Sequence, residues 1–366
     1  MNDSALRELP KPRRKEAEAV SFDPETTALL ARLGSPEWQE RVQVAELLGE
    51  RQEPALVRHL VQQLAAPDFR VRRAAAEALG HMGAFAADEL LGALTHKSDL
   101  VRQSALAGLR VAEKAAYPAL FAAARGKQVT RRRAAIEALG ALRVFGSVAI
   151  LKECLLDPDA ESRWRAAAAL GELRALQAVP ELLDVLLDDD DQVRWAAATA
   201  LGQLGDRLAV ESLLGALQDS SEGVRSAAAW ALGEIGDARA IFSLTPLAQA
   251  GAPDVRRAAI LALGKLNDPV GQAVVLALLH DPSTELRLVA IEALALMGGS
   301  EGLRALLNLL GESDATVRHA ALEAVVGFGH TAEAPLKTYL ARSTGWAATT
   351  AQEALDRLWR ERRRAA

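Results

Sequence analysis

The stretch VRWAAATALGQLGD, residues 193–206, recurs with variations along the whole chain. With Val193 as position zero, Val71, Val101, Val224, Val255 and Val317 fall in register, and Glu40, Arg131, Ser162, Leu286 and Ala347 occupy the same slot. Neighbouring registers lie 30 or 31 residues apart, so one supersecondary unit is copied eleven times. A unit of that length cannot bury its apolar face alone. Stacked copies bury it against one another, and the expected architecture is a solenoid.

The unit itself reads as helix, turn, helix, turn. In AVPELLDVLLDD (178–189) and AVESLLGALQDS (209–220), paired leucines three residues apart, such as Leu183 and Leu186, mark one helical face. A turn rich in Asp, Ser and Pro follows. The second helix then places apolar or small residues at offsets 0, 4, 7, 8 and 11: Val193, Ala197, Ala200, Leu201 and Leu204. Gly202 and Gly205, at offsets 9 and 12, permit close backbone approach or a helix C-cap. Asp206, Asp237 and Asp268 come next, placed to cap the following first helix. Repeats three to five drift, with Arg110 and Arg143 in glycine positions and QVTRRRAA (128–135) lacking the acidic turn, so these copies are expected to be distorted.

Residues 1–21 hold few apolar side chains and include KPRRK (11–15), the composition of a disordered basic tail. Asp23 before Pro24 is a helix start, and the first repeat, with Glu40 and Arg51 where later copies are apolar, reads as an N-terminal cap. The arginine-rich end of the last repeat suits a helix C-terminus and a solvated cap. The expected organisation is a single solenoid over residues 22–361, with a short tail at 362–366.

Half of the 366 residues are apolar but only 4% are aromatic, which suits closely packed helices, and the fold class expected is all-α. A net charge of −5 argues against a chain that neutralises many phosphates, so nucleic acid is not an expected partner. Cys154 is the only cysteine, which excludes an internal disulfide and a thiolate metal cluster. Neither a signal peptide nor an apolar run of membrane-spanning length is present. The expectation is a cytoplasmic bacterial protein, monomeric, without cofactor or bound metal.

Tandem helical pairs with Val-Arg opening the second helix and Ala-Leu-Gly-x-Leu-Gly-Asp closing it resemble HEAT repeats, in particular the bacterial HEAT-like subtype named after phycocyanobilin lyase subunits. The resemblance covers about nine-tenths of the chain. It implies a right-handed superhelix that binds something along its inner face. It does not fix the function, because this fold serves adaptors, chromophore lyases, a hydroxylase and certain DNA glycosylases.

Arginine fills offset 1 in ten consecutive repeats: Arg41, Arg72, Arg102, Arg132, Arg163, Arg194, Arg225, Arg256, Arg287 and Arg318. At about 100° per residue, offset 1 lies among the apolar positions, which places the guanidinium in the seam between repeats as a structural ladder rather than a phosphate-binding one. Asp68, Asp99, Asp159, Asp190, Asp254 and Asp314, in the preceding turns, are the expected partners. Offsets 2 and 6 point away from the seam and carry charge in most copies, as in Arg73, Glu77, Arg133, Glu137, Arg257 and Glu292. Trp164, Trp195, Trp230, Leu261 and Leu288 break that pattern in five adjacent repeats. Contiguous exposed apolar surface marks contact sites, and tryptophan is a frequent hot-spot residue. The alternative is that these side chains cover gaps in alanine-rich packing.

The residues show no enzyme site. No His-Glu dipeptide is present to hold a di-iron centre, and His59, His81, His96, His280, His319 and His330 are scattered. Cys154 has no histidine neighbour in sequence, and the DDDD run at 188–191 reads as a solvated capping turn. The expected function is a non-catalytic scaffold that binds another protein through Trp164, Trp195, Trp230, Leu261, Leu288, Arg133, Glu137 and Arg257. The rivals are a bilin lyase or lyase-like chaperone subunit and, more remotely, a helical-repeat DNA glycosylase.

Overall fold

A computed structural model describes residues 22–365; the tail expected at 1–21 lies outside them. The described residues hold twenty-two α-helices in eleven pairs and no strand, from α1 (Pro24–Ala31) and α2 (Trp38–Gly49) to α21 (Glu333–Leu340) and α22 (Gly345–Ala365). The last helix runs through residues 362–365, where a short tail is expected from sequence. By internal contacts the chain divides into two units, Met1–Ala123 and Ala124–Ala366. Each is a right-handed stack of paired helices.

In the first unit the second helices α2, α4 (Phe69–His81) and α6 (Asp99–Ala112) pack side by side. In the second unit α8 (Val129–Ala141), α10 (Ala160–Glu172), α12 (Asp191–Leu204), α14 (Glu222–Ile235), α16 (Pro253–Leu266), α18 (Thr284–Met297), α20 (Ala315–Gly327) and α22 do so in succession. The offset-9 glycines set that packing. A Cβ built on Gly202 or Gly233 would stand 2.7 Å from the Cα of Ala231 or Ala262 on the next second helix, closer than side chains tolerate. Small residues therefore face each other across every regular seam. In the drifted third copy Arg110 stands at offset 9, and Gly108, at offset 7, faces back to the preceding repeat, where a Cβ on it would lie 2.9 Å from the Ala76 carbonyl oxygen.

Capping follows the sequence closely. The Asp23 carboxylate accepts from the Glu25 and Thr26 amides, and Asp68, Asp159, Asp190 and Asp314 cap their second helices in the same way. Asp206, Asp237 and Asp268 accept from the amides of Leu208, Arg239 and Val270 at the start of the next first helix. At the N-terminal end Arg51 donates to Thr26 Oγ1 at 2.6 Å and pairs with Glu25 at 2.7 Å, so a polar latch replaces the apolar contact of inner repeats.

Of the distortion expected in repeats three to five, the turn at offset 12 shows it only in repeat three, where Glu113 has φ 47° with ψ −130°. Gly205 and Gly236 adopt left-handed backbone there, with φ of 72° and 74°, and Arg143, Arg174 and Asn267 share the positive φ, at 48–53°. The tertiary stack imposes the turn whatever residue occupies it. The non-glycine copies bear the steric cost of a Cβ in that conformation. Since nothing lies within 4 Å of a Cβ added to Gly205, its contribution is purely conformational. Arg143→Gly should therefore raise stability by about 0.5–1 kcal/mol, and Gly205→Ala should lower it by about 1 kcal/mol. Urea midpoints of the two variants check both signs.

Candidate functional site

The offset-1 arginines lie in the seams and close their own turns. Arg72, Arg163, Arg194, Arg225 and Arg318 each donate from Nη1 to the carbonyl oxygen six residues earlier, at 2.6–2.8 Å. Arg41, Arg102, Arg132 and Arg287 do likewise. Of the expected partners in the preceding turns, Asp99 pairs with its own arginine, Arg102, and the other carboxylate partners differ. They come from the following turn: Arg132 pairs with Asp157, Arg163 with Asp188, Arg194 with Asp219, Arg256 with Asp281 and Arg287 with Asp314. Asp68, Asp159 and Asp190 are occupied as caps instead. Among the described residues Arg225 has no carboxylate partner, and Ala250 stands where the other turns carry aspartate.

The bridging aspartates do a second task. Asp157, Asp188, Asp219 and Asp281 each accept the backbone amide two residues on, an Asx turn that holds the carboxylate toward the arginine of the preceding repeat. Bonding to Arg194 holds Asp219 below the usual carboxylate range against the opposing effect of burial. For Asp188 burial acts upward, and the Arg163 bond and the Asp190 amide outweigh it.

On the exposed face of the second helices, Trp195, Trp230, Leu261 and Arg257 come together. They line a groove of about 550 Å3 across α12, α14 and α16, with Thr199, Glu222, Ser226 and Asp254 along its walls. Trp195 is 42% exposed, while Trp230 and Leu261 are half-buried. The ring of Trp230 lies against α12, with Cζ3 2.7 Å from the position of a Gly202 Cβ. Trp164 lines a separate hollow of about 150 Å3 with Glu137, Arg165 and Glu172, and the Arg165 guanidinium stacks on its ring, 4.7 Å from the centroid. Burial, aided by Glu137, raises the Glu172 carboxyl above its ordinary range. Leu288 is half-buried on α18 and lines neither cavity.

The charged residues of this face are largely engaged with one another. Arg133 Nε donates to Asp159 at 2.8 Å and also pairs with Glu161, and Glu137 pairs with Arg165. Sequence reasoning missed Glu222 and gave Asp254 only as an arginine partner, whereas Arg256 pairs with Asp281; the two lie at offsets −2 and −1, before the apolar pattern of the helix begins. Their signal was the acidic first turn itself.

Elsewhere, Cys154 is buried, and burial pushes its thiol up to about 11. The six histidines do not converge: among the described residues no group of three or more His, Cys, Asp or Glu side chains is placed to hold a metal ion. In the acidic run, Asp188 bridges to Arg163, Asp190 caps α12 and Asp191 accepts from Ser221 Oγ at 3.1 Å. No helix among the described residues is long and apolar enough to cross a membrane.

A sequence profile of HEAT repeats matches residues 26–110, 87–171, 148–225, 179–264, 214–295 and 272–356. The chain belongs to the HEAT-repeat family. No curated protein sequence matches it. Among solved structures, the complex of CpcE and CpcF of phycocyanin lyase from Nostoc sp. PCC7120 is 25% identical, with 65% of this chain and 93% of that chain covered and a TM-score of 0.43. Yeast importin-β (Kap95p) is 16% identical over 92% of this chain, with a TM-score of 0.51, and Kap95p bound to RanGDP gives 0.53 at the same identity. The chain spans just over half the length of those two, at 57% and 56%.

The seam geometry separates two kinds of arginine. Arg194→Ala strands the Asp219 carboxylate, 13% exposed, in the seam and should cost about 3 kcal/mol. Arg225→Ala removes only bonds to turn carbonyls and should cost about 1 kcal/mol. Equal shifts in guanidinium midpoint would contradict this assignment. Because its folded pKa is depressed, the stability Asp219 contributes is present above its unfolded value of about 3.9 and disappears as pH falls through the folded value. An acid titration of Asp219→Asn should accordingly be flatter below about pH 4 than that of the parent chain.

Proposed function

We propose that this chain is a non-catalytic scaffold that holds another protein against the second-helix face of α12, α14 and α16. The observation that carries the reading is the groove itself. Along most of this face, offsets 2 and 6 hold charged side chains, many of them paired with each other, whereas here Trp195, Trp230 and Leu261 present apolar surface over three consecutive repeats. Such a surface gains by excluding water against a partner, and aromatic side chains fixed on a rigid helix lose little entropy in doing so. Support for a non-catalytic role comes from the chemistry of the candidate nucleophile. A thiol raised by burial, as Cys154 is, stays protonated at neutral pH and inert.

Replacing Trp195 and Leu261 by Gln tests the reading without disturbing the seams, since neither belongs to the buried core. The double variant should melt within a few degrees of the parent, while capture of partners from a lysate of the source cells falls at least tenfold. A folded variant that keeps every parent partner overturns the groove as contact surface. An absorbance change on adding an open-chain bilin, abolished by the same variant, would place the groove in chromophore handling instead.

A further inference from the structure

We propose that the groove takes an extended peptide with a lysine or arginine side chain caged between the Trp195 indole and the carboxylates of Glu222 and Asp254, the adjoining apolar side chain resting on Trp230 and Leu261. The proposal deepens the scaffold reading and rests on it. The cage is built around Gly223. The Cδ1 atom of Trp195 stands 3.8 Å from the position of a Gly223 Cβ, so the indole leans over the first turn of α14 where no side chain intervenes. Glu222 opens that same turn. Ser226 Oγ donates to the Asp254 carbonyl oxygen at 3.3 Å, which ties the first turn of α16 to α14 and keeps Asp254 at this end of the groove.

Charge selects the guest. Among the described residues neither the Glu222 nor the Asp254 carboxylate has an ion-pair partner, whereas the seam aspartates Asp188 and Asp219 are each bridged by arginine. The cation that lines the groove, Arg257, stands 3.8 Å from Glu292 on α18 and is drawn away from the cage. An electron-rich ring face beside two carboxylates attracts a cation by quadrupole and by charge together. A lysine or arginine also covers indole with its aliphatic stem, which a bare metal ion cannot do. Beyond the cage, Trp230 lies against Gly202, and with Leu261 it lines the groove as apolar surface. Helix axes about 8–10 Å apart make α12 to α16 about 20 Å, the length of about six extended residues at ~3.3 Å each.

The test is selection of phage-displayed random octapeptides on the full chain, repeated on Glu222→Gln/Asp254→Asn and on Trp195→Gln/Leu261→Gln, each variant checked by thermal melt. Peptides selected on the parent should carry one Lys or Arg next to a Leu, Ile or Phe. Synthetic copies should bind the acid-to-amide variant about tenfold more weakly and lose affinity with added salt. If selected peptides show no basic preference, or bind the amide variant unchanged, the cage is overturned while the groove stands as contact surface. If peptides bind Trp195→Gln/Leu261→Gln as well as the parent, the scaffold reading falls with it. A selection that enriches no sequence also overturns the cage.

Discussion

The close approach of successive second helices is the constraint on which the rest of this structure depends. With glycine at offset 9 facing alanine at offset 7 of the next copy, the backbones meet at distances no larger side chain allows, as at Gly233 and Ala262 or Gly264 and Ala293. Dispersion contacts between these backbones add to those of the buried leucines and leave little room for aromatic side chains in the seams. This suits a composition half apolar yet only 4% aromatic. The outward offsets vary from charge to tryptophan while the stack keeps its register.

Such thin seams need lateral registration, and the offset-1 arginine supplies it. One end of the guanidinium closes the arginine's own turn through carbonyl oxygens, and the other reaches an aspartate 25 residues on that is itself fixed by an Asx turn. A lysine could not serve both, since the planar fork points its donors in two fixed directions. The bridges are confined to the second unit among the described residues, from Arg132 to Arg287. In the first unit Ala66 and Lys97 occupy the positions 25 residues beyond Arg41 and Arg72, and those arginines bond to turn carbonyls alone.

The repeat, its helix pairs and the helix caps were legible in the sequence because each depends on residues close together in the chain. Partners across the seam were not. Asp159 and Asp190 looked like partners for the arginines that follow them, yet each caps its own helix, Asp159 reaching back to Arg133 as well, and the aspartate two residues earlier makes the bridge to the offset-1 arginine of the preceding repeat. The positive φ at offset 12 in repeats four and five was also hidden. Left-handed φ is read from glycine, and Arg143 adopts it only because the neighbouring repeats hold both ends of the turn. For the tryptophans the periodicity gave the face but not the grouping, since Trp164 and Trp230 share a face yet only Trp230 meets a glycine beside a groove.

The groove and the gap in the arginine bridges arise at one place. The turn before α16 is cut to Gly251 and Ala252, with α15 (Ile241–Ala250) running almost into Pro253. The register is nevertheless kept at 31 residues from Val224 to Val255, and Ala250 occupies the position of the bridging aspartate, so among the described residues Arg225 lacks that ion pair, while the acid of this turn, Asp254, falls inside the helix start. There it lines the groove rather than the seam. Asp254 is thus exposed in the groove that Trp195 also lines, with no ion-pair partner among the described residues. The turn that lacks a bridging aspartate leads into the part of the surface with most to gain from a cationic partner.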